Sequence, residues 1–107
     1  MTAIQATQLM LVTIVAEDLL EPQLATLVKT LGATGFTVTP CSGEGSRGLR
    51  TGSMPGGNVR IEVVVSKDVS EMIIAKLAEA YFAHCAVIGW LTPVGVVRGE
   101  KYVGPQH

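Results

Sequence analysis

Residues 9–16 of the chain read LMLVTIVA, a run of aliphatic and β-branched side chains that predicts a buried strand. Alternate residues of a strand face opposite sides of a sheet, and both alternate sets of this run are largely apolar. The two sets are Leu9, Leu11, Thr13 and Val15, and Met10, Val12, Ile14 and Ala16. We therefore expect both faces of this strand to be covered.

The residues that follow predict a helix. Asp18 and Glu21 have the spacing of a capping box, and Pro22 suits a first turn, where backbone N–H groups lack helical partners. Gly32 and Gly35 are natural helix stops. The apolar positions at helical spacing are Leu20, Leu24, Leu27, Val28 and Leu31. One face of this helix should therefore pack against the sheet.

Three further segments have the composition of strands. Residues 36–41 form the second predicted strand, and residues 59–66 form the third, in which apolar and polar side chains alternate. The last predicted strand, residues 87–97, is interrupted by glycines and by Pro93. Because proline cannot donate a hydrogen bond to a neighbouring strand, it indicates a bulge or a sheet edge.

A second helix is predicted between the last two strands. Asp68 and Glu71 repeat the capping-box spacing. The expected buried face of this helix is Ile74, Leu77, Ala78, Tyr81 and Cys85. The resulting order is βαββαβ, the α+β ferredoxin-like sandwich, in which two helices cover one face of a four-stranded sheet. The other face also needs a cover, and oligomerisation provides one economically.

The composition is that of one domain that associates with copies of itself. We expect a single domain over residues 1–107. Only 16% of residues are charged, against ~25% in soluble domains, which favours a partly hidden surface. The net charge of −1 argues against nucleic-acid binding, and no apolar run reaches the ~20 residues of a membrane span. The N-terminus lacks a secretory-signal pattern, and Cys41 and Cys85 form no CxxC motif, which favours a cytoplasmic location.

A glycine-rich stretch, residues 42–58, separates the second and third predicted strands. Its GEGSRG segment at 43–48 matches the dinucleotide-binding pattern GxGxxG, but that motif needs a helix to begin here, and the following residues do not form one. Two interpretations remain open. Backbone N–H groups of the glycines, with Ser46, Arg47 and Arg50, suit a phosphate or carboxylate. The alternative is a solvated, mobile loop whose arginines keep it soluble.

Other candidate residues also have ordinary structural explanations. Arg98, Lys101 and Tyr102 form either a functional basic-aromatic cluster or a polar tail. Gly89 indicates either the close approach of a ligand or tight packing within a strand. Trp90 is expected to pack rather than to stack on a base.

No catalytic or metal-binding constellation is visible, so we expect neither an enzyme nor a bound metal or cofactor. His84 and Cys85 are adjacent, but neighbours on a helix point ~100° apart, which disfavours a nucleophile and its base. His84 is expected to interact favourably with the end of the second helix. Cys41 is interpreted as a small buried hydrophobe.

Three segments carry a family resemblance: GATGFTV at 32–38, GEGSRGLR at 43–50, and the end of the chain at 99–105. The second is similar to the GxGSRxxR stretch that opens the T-loop of PII-like signalling proteins, and it is the most specific of the three. Together with the element order, the chain resembles these proteins over nearly its whole length. Within them it is most similar to the bicarbonate-transporter-associated and carboxysome-associated branch.

The resemblance implies a homotrimer that binds an adenine nucleotide, ADP or AMP, in clefts between subunits. It also implies a long mobile T-loop between the second and third strands, and a link to bicarbonate. The residues implied at the phosphates are Gly43, Gly45, Ser46, Arg47 and Arg50. Those implied around the adenine and ribose are Thr39, Cys41, Ile88 and Gly89. The tail adds Arg98 and Lys101.

Three departures from the family pattern narrow these expectations. The loop is shorter than in transporter-associated members, the tail lacks a cysteine pair, and the loop lacks the tyrosine that is uridylylated in nitrogen-sensing members. The protein partner stays open, a bicarbonate transporter or a carboxysome component being candidates. The alternatives are a small oligomeric ferredoxin-like enzyme without a recognisable motif and a pure assembly module.

Overall fold

The predicted strands assemble into a four-stranded sheet whose helices lie on one side. A computed structural model of the chain describes residues 5–43 and 57–103. Its elements are strand β1 (Thr7–Glu17), a 3₁₀ turn (Asp18–Leu20), helix α1 (Glu21–Thr30), strands β2 (Thr37–Cys41) and β3 (Asn58–Val65), helix α2 (Lys67–Ala80), strand β4 (Ile88–Val96) and the one-turn helix α3 (Glu100–Val103). The predicted α+β ferredoxin-like βαββαβ order is confirmed, and α3 is an addition in the tail.

The strands lie in the order β2-β3-β1-β4, and every neighbouring pair is antiparallel. The apolar run of β1 therefore occupies a central position, between β3 and β4. Strand β4 continues through its glycines without a break, and Pro93 lies opposite Met10 on this outer strand. Of the two explanations predicted for Pro93, a bulge or a sheet edge, the structure shows the edge, where an outer strand has one side on which no ladder hydrogen bond is needed.

One face of the sheet, here called the helix face, forms the core with α1 and α2. The strand residues buried there are Val12, Ile14, Ala16, Val59, Ile61, Val63 and Val65. Helix α1 contributes Leu24 and Val28, with Leu20, Leu27 and Leu31 partly buried beside them, as its spacing predicts. Aliphatic side chains from β1, β3, α1 and α2 thus fill the core of a single chain.

The start of α1 differs from the predicted capping box. The chain leaves β1 through the 3₁₀ turn, so Leu20, directly before the helix, already has helical backbone angles, and no side chain caps this end. Asp18 therefore lies too early to act as the cap. Pro22 does fall in the first turn, and Gly32 ends the helix with φ of +128°, a conformation that suits glycine.

Helix α2 is capped two residues earlier than predicted. The Ser66 backbone is extended, and its hydroxyl oxygen accepts a hydrogen bond of 3.3 Å from the backbone N–H of Val69. Asp68, the predicted cap, lies instead in the first turn, where a carboxylate favours the helix dipole.

The buried face of α2 differs in part from the predicted one. Its fully buried residues are Ser70, Ile73 and Leu77, with Ile74 packed beside them, whereas Ala78 is exposed. The helix ends at Ala80, so the partly buried Tyr81 and Cys85 reach the core from beyond its end.

The tail folds back onto the sheet. Helix α3 contacts β3, and the Thr34 hydroxyl donates a 3.3 Å hydrogen bond to the carbonyl oxygen of Lys101. A Cβ added at Gly99 would lie 2.5 Å from the Thr7 side chain, so the glycine permits this close approach. No helix within the described residues is long and apolar enough to cross a membrane.

Candidate functional site

Several candidate residues lie together at one end of the sheet, here called the loop end, where β2 finishes and β3 begins. On the sheet face opposite the helices, here called the open face, Thr39 lies beside Arg60, Arg60 beside Val15, and Val15 beside Ile88. This row crosses all four strands. Cys41 lies one row nearer the loop end, and Gly43 follows it. The structure therefore brings Thr39, Cys41, Gly43 and Ile88 to the same end.

The loop end is also fixed by the glycine that returns the chain to β3. Gly57 has φ of +89°, and its carbonyl oxygen accepts a 3.0 Å hydrogen bond from the backbone N–H of Asp18. This bond ties the beginning of β3 to the turn that follows β1. The phosphate candidates Gly45, Ser46, Arg47 and Arg50 lie outside the described residues, within residues 44–56.

Gly89 lies near the loop end but faces the helices. A Cβ added there would lie 3.4 Å from Ile74 Cδ1, 3.5 Å from Leu77 Cδ1 and 3.3 Å from the carbonyl oxygen of Thr13. These distances favour tight packing, one of the two explanations that the sequence leaves open. The other, close approach of a ligand to its backbone, is not tested by this contact.

Arg98 and Lys101 lie at the opposite end of the sheet, here called the tail end. Strand β4 is nine residues long, so at ~3.3 Å per residue it carries the chain roughly 25 Å away from Ile88. Arg98 has φ of +70°, which is uncommon for a residue with a side chain. One chain therefore does not bring the tail candidates together with those at the loop end.

The open face carries features that the sequence analysis did not connect with function. Ile88 and Trp90 are 58% and 44% exposed, so Trp90 packs only in part within one chain. Arg60 and Glu62 project from the same face, because they alternate with buried residues of β3. The alternation of apolar and polar residues in the sequence places both charges on this face, but it does not indicate what they do there.

The thiols and imidazole do not form a reactive cluster in the described residues. Cys41, predicted to be buried, and Cys85 are both half-buried free thiols. His84 was expected at the end of α2, yet it lies in the turn beyond that end, where its backbone N–H donates to the carbonyl oxygen of Tyr81 at 3.0 Å. Within the described ranges, no group of three His, Cys, Asp or Glu residues is placed to hold a metal ion.

Comparison with known proteins agrees with the fold. Residues 9–101 match the family model of the nitrogen regulatory protein P-II. A PII-like signalling protein from Thermus thermophilus is 49% identical, and the match covers 94% of this chain and 100% of that one with a TM-score of 0.82.

Two structures of CPII, a PII-like protein from Thiomonas intermedia, share the fold at lower identity. One, bound to ADP and bicarbonate, is 22% identical with a TM-score of 0.83, covering 94% of this chain and 99% of that one. Another, bound to ADP, AMP and bicarbonate, is 19% identical with a TM-score of 0.82, covering 94% and 98%. The family model and the Thermus relative together confirm the resemblance found in the sequence: this chain belongs to the P-II family of regulatory proteins.

Proposed function

We propose that this protein is a homotrimeric regulator that binds ADP or AMP in clefts between its subunits. The observation that carries the proposal is the separation of the candidate residues between the loop end and the tail end of the sheet. A cleft between two copies can bring the loop end of one chain to the tail end of the next. CPII, which shares this fold, has been crystallised with ADP, AMP and bicarbonate, which supports adenine nucleotides as the ligands to test first.

The open face provides the driving force for association. Ile88 and Trp90 expose large apolar surfaces there, and burial contributes roughly 25 cal/mol for each Å² removed from water. Apolar residues continue along the same face at Leu11, Val15 and Val94. A cyclic trimer covers such a face without leaving unpaired copies.

We assign the phosphates to the loop. Arg47 and Arg50 offer guanidinium groups for charge-assisted hydrogen bonds, Ser46 offers a hydroxyl, and the glycines at 43 and 45 allow backbone N–H groups to approach. The adenine and ribose are assigned to the strand ends that carry Thr39, Cys41 and the Ile88–Gly89 pair. A neighbouring copy contributes Arg98 and Lys101 from its tail end.

Signalling follows from the composition of the loop. Fixing the backbone of a residue costs roughly 1–2 kcal/mol, so a glycine-rich loop becomes ordered only when a multiply charged ligand offsets that cost. The T-loop conformation would then report the nucleotide to a partner protein. We place this sensing in the cytoplasm and in inorganic-carbon metabolism, with bicarbonate binding near the same arginines and with a bicarbonate transporter or a carboxysome component as the partner.

Calorimetric titration with AMP, ADP, ATP and cyclic AMP, each with and without bicarbonate, tests this function. We expect stoichiometric binding of ADP or AMP without turnover. Arg47→Ala and Arg50→Ala should each weaken binding by about 1.5–3 kcal/mol while the trimer stays intact, because a charge-assisted bond is lost. Lys67→Ala, at an exposed position on α2, is the matched control.

The other outcomes separate the alternatives. Steady hydrolysis of ATP would favour a small enzyme on the same fold, and failure to bind any nucleotide would favour an assembly module. Unchanged affinity in both arginine variants would remove the phosphate assignment.

A further inference from the structure

Two opposite charges, Arg60 and Glu62, lie near the centre of the open face. The other residues of that face are apolar or uncharged polar ones, except for Glu17 at the loop end. Arg60 and Glu62 are two residues apart on the central strand β3, and both side chains project from that face. In the neighbouring strands, Arg60 lies opposite Val15 and Thr39, whereas Glu62 lies opposite Thr13 and Thr37. Neither charge therefore has an opposite charge directly across from it in its own sheet.

Neither residue is paired elsewhere in the described part of the chain. The ion pairs recorded there, Lys67–Glu71 and Lys76–Glu79, both lie along α2 on the other side of the molecule. Arg60 is exposed and Glu62 is half-buried. In one chain, water can solvate both side chains, so the arrangement carries little cost while the face is open.

Covering the face changes this balance. The rows that carry Arg60 and Glu62 also carry Ile88 and Trp90, so a partner that buries these apolar side chains also removes water from the two charges. A charge left unpaired in such an interface is strongly destabilising. A partner that covers this face must therefore supply one negative and one positive group at about the same spacing, unless Arg60 and Glu62 turn to pair with each other.

A second copy of this chain meets that requirement. We propose that Arg60 of each subunit pairs with Glu62 of the next, so that a closed ring of copies uses every one of these charges once. This inference rests on the self-association in the proposed function. It adds the contact that fixes how neighbouring copies align. The two rows are ~7 Å apart along the strand, so a shift by one row would place like charges against each other.

Charge reversal tests the pairing. Arg60→Glu and Glu62→Arg should each raise the concentration at which half of the chains are assembled by at least tenfold, measured by sedimentation velocity. The double variant, Arg60→Glu with Glu62→Arg, should restore assembly because the two signs are exchanged together. Lys67→Glu and Glu71→Lys make the same charge changes on the exposed surface of α2 and should leave assembly unchanged. Circular dichroism of each variant confirms that the chain is folded.

Mixing the two single variants separates pairing between chains from pairing within one chain. If the contact joins neighbouring copies, an Arg60→Glu chain offers a carboxylate at position 60 to the guanidinium at position 62 of a Glu62→Arg chain. A ring of three that contains both variants repairs two of its three contacts, because the third contact joins two chains of the same variant. Native mass spectrometry should therefore show mixed trimers at concentrations at which neither variant assembles alone. If the two side chains pair within one chain, mixing repairs nothing, and the absence of mixed assemblies would overturn the proposal.

The remaining outcomes are distinguishable from a failure of the proposed function. Normal assembly of both single variants would contradict the ion pair without affecting the binding of nucleotide. Wild-type protein that assembles but binds no ADP would contradict the proposed ligand and leave the ion pair standing. A wild-type chain that stays monomeric would contradict both.

Discussion

The two faces of the sheet are built from the same strands, but one face is covered within a single chain and the other is not. On the helix face, Ile14 and Ile61 are inaccessible to solvent because α1 and α2 cover them. On the open face, Ile88 and Trp90 are 58% and 44% exposed, with Val15 beside Ile88 and Thr13 beside Trp90. One chain therefore finishes one core and leaves the other face for a partner. Changes on the first face should affect folding, and changes on the second should affect association.

Ile61→Ala should have the largest effect on folding. Its side chain is fully buried on the helix face, and truncating such a residue costs about 2–5 kcal/mol through lost burial and the cavity left behind. Urea unfolding at several protein concentrations measures the loss. Once association is accounted for, the loss in the free energy of unfolding should be the same at every protein concentration. A loss below ~1 kcal/mol would show that this face is not the principal core.

Trp90→Ala should weaken association instead. An aromatic side chain at the centre of an interface commonly contributes ~2 kcal/mol or more, whereas an exposed one contributes little to the folding of its own chain. Sedimentation velocity should show dissociation at concentrations where the wild type stays assembled, with the far-UV circular dichroism unchanged. A normal assembly curve would mean that the partner does not cover this part of the open face.

Gly99→Ala tests the tail end, where α3 meets the sheet. The added Cβ would lie 2.5 Å from both Thr7 Cβ and Thr7 Oγ1, so the turn must move, and such overpacking costs ~1–3 kcal/mol. We expect a lower melting temperature and weaker binding of ADP, because Arg98 and Lys101 flank this turn. Thr7→Ala in the same chain removes Oγ1 and Cγ2 but keeps Cβ, so it should recover only part of both losses. Unchanged ADP affinity despite the lower melting temperature would separate the tail from the ligand site.

Gly89→Ala should have the smallest effect. The new methyl group would meet Ile74 and Leu77 at ordinary contact distance, with only the carbonyl oxygen of Thr13 slightly closer. We expect a change in stability of about 1 kcal/mol or less and unchanged ADP affinity, because the methyl group points toward the helices. A large loss of affinity with little loss of stability would instead show that the ligand contacts the helix-facing side of Gly89.

Periodicity was sufficient to predict the element order and the core residues of α1. It was not sufficient for the helix ends. Asp18 and Glu21 match a capping box, but the 3₁₀ turn at Asp18–Leu20 runs directly into α1. The helix therefore starts with no side-chain cap. Composition cannot distinguish such a turn from a cap, since both use the same polar residues.

Closeness along the chain could not predict that the candidate residues lie at two opposite ends of the sheet. Gly89 and Arg98 are close in sequence, yet β4 extends between them over most of the sheet. The buried phase of α2 was also placed incorrectly, because Ile73 and Ile74 are both apolar and only packing decides which is fully buried. A role for a charged residue such as Arg60 can be inferred only when the exposed surface around it is known.

The most direct test of this account is native mass spectrometry of the full chain with ADP. We predict a species of three times the 11.3 kDa chain mass that carries up to three ADP molecules, with no ADP on any monomer. A monomer that binds ADP by itself would contradict the claim that two copies build the site, and so would a trimer that carries none.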